Sequence, residues 1–164
     1  MTDGVLLVGY GNAMRSDDGL DWHAAERLAE DQRLAGSVVL QRQQLTPELA
    51  LDISESTLVV LIDASTALAP GVFSVTMVEP AADVLDRTWS HHVSPTTLVA
   101  IARELYGRAC EVYVVSCGVQ SLDIGDRLSP VVEQALPQMV DAIAELVALR
   151  AVLPEGLDEE GRIL

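Results

Sequence analysis

The sequence predicts an α/β protein: a single-domain three-layer sandwich with a mainly parallel sheet of about five strands and helices on both faces. Three observations predict it. Strand-sized apolar runs alternate with stretches of helical spacing along almost the whole chain. The longest of those runs, residues 5–8 and 58–62, are continuously apolar, as strands buried on both faces are. The 164 residues, 49% of them hydrophobic, are enough for one core, and no internal repeat or low-complexity linker divides them.

The elements follow in order. Val5–Tyr10 is a short strand leading into a glycine-containing loop through Asn12 and Ser16. Residues 20–34 show helical spacing, with Trp22, Ala25, Leu28 and Ala29 on one side. Residues 38–40 form a second strand, and Thr46-Pro47 supplies the N-cap and first turn of a helix through Glu48, Leu51 and Ile53. After the buried strand 58–62, Pro70-Gly71 marks a turn, and 72–78 alternates as a further strand. Ser94-Pro95 opens a helix through Leu98, Ile101, Ala102 and Leu105, closed by Gly107. Residues 112–116 form the last strand. Ser129-Pro130 starts the longest helix, reaching about Val152, and Pro137 is expected to kink or break it. The domain thus covers 1–153, followed by a charged tail, 154–164, expected to be loosely ordered.

Charge narrows the function classes. Twenty-five acidic residues against 10 basic ones give a net charge of −15, a field that repels phosphate backbones and argues against nucleic-acid binding. It suits solubility, and it tolerates a metal cation or a basic protein partner. No apolar run approaches the ~20 residues of a bilayer span, and the N-terminus lacks a positive n-region. A cytoplasmic protein, away from membranes, is the expectation. Cys110 and Cys117 flank a strand that holds them apart, so reduced thiols are expected.

Ligands in open α/β sheets gather at the carboxyl ends of the strands. Asp17-Asp18 lies one loop after the first strand, Asp63 ends the buried run 58–62, and His91-His92 precedes the helix at Ser94. Singly, each has a plain structural reading: Asp17 or Asp18 as a helix cap, Asp63 as a turn residue, His92 as a loop histidine. Gly9-Tyr10-Gly11-Asn12 lacks the third glycine of a dinucleotide fingerprint. Together, two carboxylates and an imidazole make a nitrogen–oxygen site for a hard-to-borderline divalent cation, with coordination positions left open.

These residues resemble a known family, the [NiFe]-hydrogenase maturation proteases. Leu6-Leu7-Val8-Gly9-Tyr10-Gly11-Asn12 with Asp17-Asp18-Gly19 looks like its first hallmark, and Leu61-Ile62-Asp63-Ala64 with Pro70-Gly71 like its second. Ser90-His91-His92 with Pro95 and Leu98 resembles the third. Gly118-Val119-Gln120 with Leu128-Ser129-Pro130 resembles the closing segment. The resemblance implies an endopeptidase that trims the C-terminal extension of a nickel-loaded hydrogenase large-subunit precursor and acts as a monomer. It implies Asp18, Asp63 and His92 as nickel ligands, the nickel arriving with the substrate, and Asp18 or Asp63 as general base. Ligand and base roles stay open between the two carboxylates, and His91 stays an alternative to His92. Asp21 stands where the family often has glycine, and Thr96 where some relatives place the histidine. A non-catalytic nickel-sensing chaperone would use the same ligands. A nucleotide-binding domain is disfavoured by the missing glycine and the acidic loop.

Overall fold

A computed structural model of the chain describes residues 4–82 and 93–152. The aliphatic runs form β1 (Val5–Tyr10) and the first half of β3 (Leu58–Pro70), and β2 (Val38–Arg42), β4 (Phe73–Met77) and β5 (Glu111–Gly118) complete one sheet. Its order is β2-β1-β3-β5-β4. All neighbours are parallel except β4, which runs antiparallel to β5 after the Pro70-Gly71 turn.

Side chains alternate across a strand, so each run feeds two cores. Val5, Leu7, Leu58, Val60, Ile62 and Val115 pack with α1 (Leu20–Glu30) and α4 (Pro130–Val152). Leu6, Val8, Val59, Leu61 and Val112 pack with α2 (Leu49–Glu55) and α3 (Pro95–Tyr106). Helices therefore cover both faces, as the sequence predicts.

Several local expectations change. The helical pattern expected over 20–34 ends at Glu30, because Asp31 turns extended and its carboxylate accepts the Arg33 N–H at 2.9 Å, starting a separate 3₁₀ turn over Gln32–Leu34. The buried face of α1 is Leu20, Asp21, Ala24, Ala25 and Leu28, while Ala29 is exposed. Trp22 is half-buried and donates its indole N–H to the Gly11 carbonyl at 3.0 Å. Thr46-Pro47 forms the turn before α2, accepting from the Leu49 and Ala50 amides. Pro137 does not break α4. Its ring is exposed, and the i−4 carbonyl it leaves unpaired belongs to exposed Glu133, where water can serve it. The tail 154–164 lies outside the described residues.

The sheet has a switch point between β1 and β3, since the chain passes from β1 outward to β2 and then returns to β3 on the other side. Beyond the carboxyl end of β1 lies a 3₁₀ turn, Ser16–Gly19, and Asp17 within it is fully buried. Neither Asp17 nor Asp18 caps α1, whose N-cap is Gly19 with no side-chain hydrogen bond. Asp17 instead accepts from the amides of Gln120 (2.8 Å), Ser121 (2.9 Å) and Ser129 (2.7 Å) and from the Ser129 hydroxyl (2.8 Å). Ser16, at φ 49°, is held in the left-handed region by its amide on the Gly125 carbonyl and its hydroxyl on that of Asp123. The segment between β5 and α4 is thereby fastened to the loop after β1.

Burial alone would raise the Asp17 carboxyl, but the bonds from Ser129, Ser121 and Gln120 outweigh it and hold it below the usual aspartate value. A lowered folded value means the stabilisation is present above the unfolded value and lost as pH falls through the folded one. Asp17→Ala strands four donors, so urea unfolding is expected to show a loss of about 3 kcal/mol or more. An unchanged midpoint would sink this account of the clasp.

Candidate functional site

Asp18 and Asp63 meet in one pocket. It has a volume of about 280 Å³ and is lined by Tyr10, Gly11, Asp18, Gln43, Gln44, Leu45, Asp63, Val93 and Pro95. The pocket sits at the carboxyl edge of the sheet, over the switch point, because Tyr10 ends β1 and Asp63 lies just past Ile62, the β3 partner of Gly9. The loop between β2 and α2 supplies Gln43, Gln44 and Leu45, and the approach to α3 supplies Val93 and Pro95.

Asp18 is fixed locally. Its Oδ2 accepts the Asn12 amide at 2.9 Å, so the loop after β1 folds back on the 3₁₀ turn. Asp63 hydrogen-bonds with the Tyr10 hydroxyl. Burial pushes the Asp63 carboxyl up to about 6; the Tyr10 bond opposes the rise, and the negative charge of Asp18 adds to it. Tyr10 is held far above the usual phenol range, first by burial and then by the Asp63 charge, so it stays protonated.

His91 and His92 lie outside the described residues. Val93, next in the chain to His92, lines the pocket. Among the described residues no three His, Cys, Asp or Glu side chains cluster as a metal site, so Asp18 and Asp63 stand as a pair. Thr96 lies in the first turn of α3, where Ser94 caps the helix by accepting the Thr97 amide at 3.2 Å.

The glycines of the first loop serve packing. A Cβ at Gly9 would stand 2.5 Å from the Asp21 carbonyl, and one at Gly11 would stand 2.3 Å from the Asp18 carbonyl and 2.6 Å from Asp21 Oδ1. The Gly11 amide is bonded to the Arg42 carbonyl and the Asn12 amide to Asp18. A phosphate would find neither space nor free donors there, which removes the ground for a nucleotide site. The cysteines are free thiols, and burial pushes Cys110 up to about 11 and raises Cys117 as well. Neither is a ready thiolate nucleophile.

Sequence reasoning missed Tyr10 as a partner of Asp63, and it missed the burial of Asp21. Asp21 is fully buried, and its carboxylate oxygens have no side-chain partner, only the nearby Asp21 and Trp22 amides. Burial pushes it up to about 8, with the charges of Asp18 and Asp63 contributing. The close approach of Gly9 and Gly11 to whatever begins α1 was the available signal. Because the folded value is raised, Asp21 favours the folded state most below the ordinary aspartate value, and that contribution is lost as pH climbs through about 8. Thermal melts are therefore expected to show stability falling between about pH 4 and pH 8. Asp21→Asn should flatten that slope. A slope identical in the variant would refute the assignment.

No family model matches the chain, and no curated protein matches it. Solved structures do. A [NiFe] hydrogenase maturation protease from Thermococcus kodakarensis is 20% identical, covers 88% of this chain and 92% of its own, and superposes with a TM-score of 0.67. The hydrogenase 2 maturation peptidase of a Thaumarchaeota archaeon is 25% identical over 88% of this chain and 98% of its own, with a TM-score of 0.66. The hydrogenase maturating endopeptidase HybD of E. coli is 19% identical over 90% and 92%, with a TM-score of 0.62. The fold of this chain is that of the [NiFe]-hydrogenase maturation proteases.

Proposed function

We propose that the chain is an endopeptidase that removes the C-terminal extension of a nickel-loaded [NiFe]-hydrogenase large-subunit precursor. One observation carries the reading: Asp18 and Asp63, brought from separate segments, line one pocket at the switch point of a sheet shared with proteins described as hydrogenase maturation proteases. The pocket's described lining holds two carboxylates and no lysine or arginine. A divalent ion carried in by the substrate would supply the missing positive charge. Asp18 and Asp63 would give it anionic oxygen donors, and His92 an imidazole.

Docking through the ion would hold the adjoining peptide against the same carboxylates, turning an encounter into a positioned reaction. Hydrolysis then needs water to attack the scissile carbonyl carbon while a carboxylate of the pair takes its proton. The C–N bond breaks as that proton passes to the leaving amine. Ligand and base roles stay open between Asp18 and Asp63. The alternative, a non-catalytic nickel-sensing chaperone, binds through the same residues and differs only in leaving the bond intact.

Incubation with nickel-loaded and metal-free precursor, followed by mass analysis of the C-terminus, tests the proposal. Cleavage is expected for the loaded form only. Asp63→Asn and His92→Ala should abolish it, and His91→Ala should affect it much less. Intact loaded precursor would favour the chaperone. Stoichiometric zinc in the purified protein, with activity lost on chelation and restored by zinc alone, would instead indicate a resident catalytic ion.

A further inference from the structure

Tyr10 sits at the end of β1, directly beside the start of the site on β3. The register pairs Gly9 with Ile62, so the next residues along the two parallel strands are Tyr10 and Asp63. Both line the pocket, and the phenol hydroxyl bonds to the carboxylate. The ring also packs against the core on the α2–α3 side, alongside Leu40. Its body is thus anchored by apolar contact while its polar tip meets Asp63.

We propose that Tyr10 is a positioning residue for Asp63: the phenol holds the carboxylate in one orientation and leaves its remaining lone pairs for a divalent cation entering the pocket. The inference rests on the metal-dependent reading above and deepens it.

Three considerations support it. An aspartate carboxylate turns freely about its terminal torsion, which is broad and roughly two-fold, and a side-chain donor helps to choose one orientation. A carboxylate used as a ligand needs such a partner, because hydrogen bonds from outside the coordination sphere orient ligands and tune them. The parallel register that ends at Gly9 and Ile62 also sets the phenol and the carboxylate side by side in the wall of one pocket. The Ala64 amide also bonds Asp63, so Tyr10 adds a side-chain donor to one fixed by the backbone.

Tyr10→Phe keeps the packed ring and removes only the hydroxyl, and circular dichroism with thermal melting checks that the variant folds. Tyr10→Leu gives a second hydroxyl-free variant. The full-length protein is titrated with Ni²⁺ alone by calorimetry, with Asp63→Asn alongside, and visible spectra are recorded with Co²⁺ as a probe of ligand geometry. Both Tyr10 variants are expected to bind Ni²⁺ about 10–100-fold more weakly, with the Co²⁺ bands displaced. In cleavage of nickel-loaded precursor they should raise KM more than they lower kcat. Wild-type affinity and spectra in folded Tyr10→Phe, with binding lost in Asp63→Asn, would overturn the role of Tyr10 and leave the site standing. Unimpaired Ni²⁺ binding by Asp63→Asn would overturn the site and the role together.

Discussion

One buried carboxylate governs the geometry around the site. Asp17 takes four hydrogen bonds from the segment that joins β5 to α4, beside the backbone bonds and the Ser16 hydroxyl that also tie this segment to the loop after β1. Each bond to a charged acceptor contributes about 1.5–3 kcal/mol, against a desolvation cost that a buried carboxylate cannot avoid. The four together outweigh it, as the lowered pKa of Asp17 records. Successive residues of a 3₁₀ turn point about a third of a turn apart. With Asp17 fixed inward, Asp18 is turned toward the Asn12 amide and the pocket. The residue that lines the pocket therefore owes its direction to the neighbour that does not.

Behind the pocket the balance goes the other way. Asp21 has no side-chain partner, and burial raises it to about 8, ahead of its neighbours' charges and against the Asp21 and Trp22 amides that lower it. Asp63 shows the same ranking, with burial first and Asp18 after its Tyr10 bond. Desolvation, rather than mutual repulsion, is thus the main cost of assembling these acids, and it is a cost to the folded state that a cation in the pocket would offset. Such stored instability at one sheet edge is characteristic of sites kept for chemistry rather than for stability.

Much of this was legible in the sequence, and the parts that were not share a cause. The sheet was legible because its strands are continuous aliphatic runs whose alternate residues must enter two cores, so both helix layers follow. Asp18 and Asp63 were legible because strand ends are where ligands collect, and the strand ends were plain. The role of Asp17 was not, since its donors stand more than a hundred positions away and only the fold brings them together. Local logic made it a helix cap, and a distant segment took it instead. Asp21 and Trp22 were misjudged for a related reason: periodicity identifies the inward face of α1 but not that an acid would occupy it. Pro137 was read as a kink or break because the helix pattern does not show that the unpaired carbonyl belongs to an exposed residue.

The pocket divides its tasks between rigid and adaptable parts. Its charged groups stand within β3, just past its last pairing with β1, and in a 3₁₀ turn clamped by Asp17, places where side-chain position is dictated by the sheet and by long-range hydrogen bonds. Its remaining wall comes from loops, and apart from Tyr10 and Gly11 it consists of amides and apolar side chains: Gln43, Gln44, Leu45, Val93 and Pro95. Neutral walls give a polypeptide hydrogen bonds and contact area but little electrostatic attraction, and the protein as a whole repels anything acidic. A bare peptide therefore gains little by entering. A peptide that brought a divalent cation would gain an interaction with the two carboxylates that a bare one lacks. On the proposed reading, a preference for loaded over empty substrate would follow from where charge is absent in this pocket as much as from where it is present.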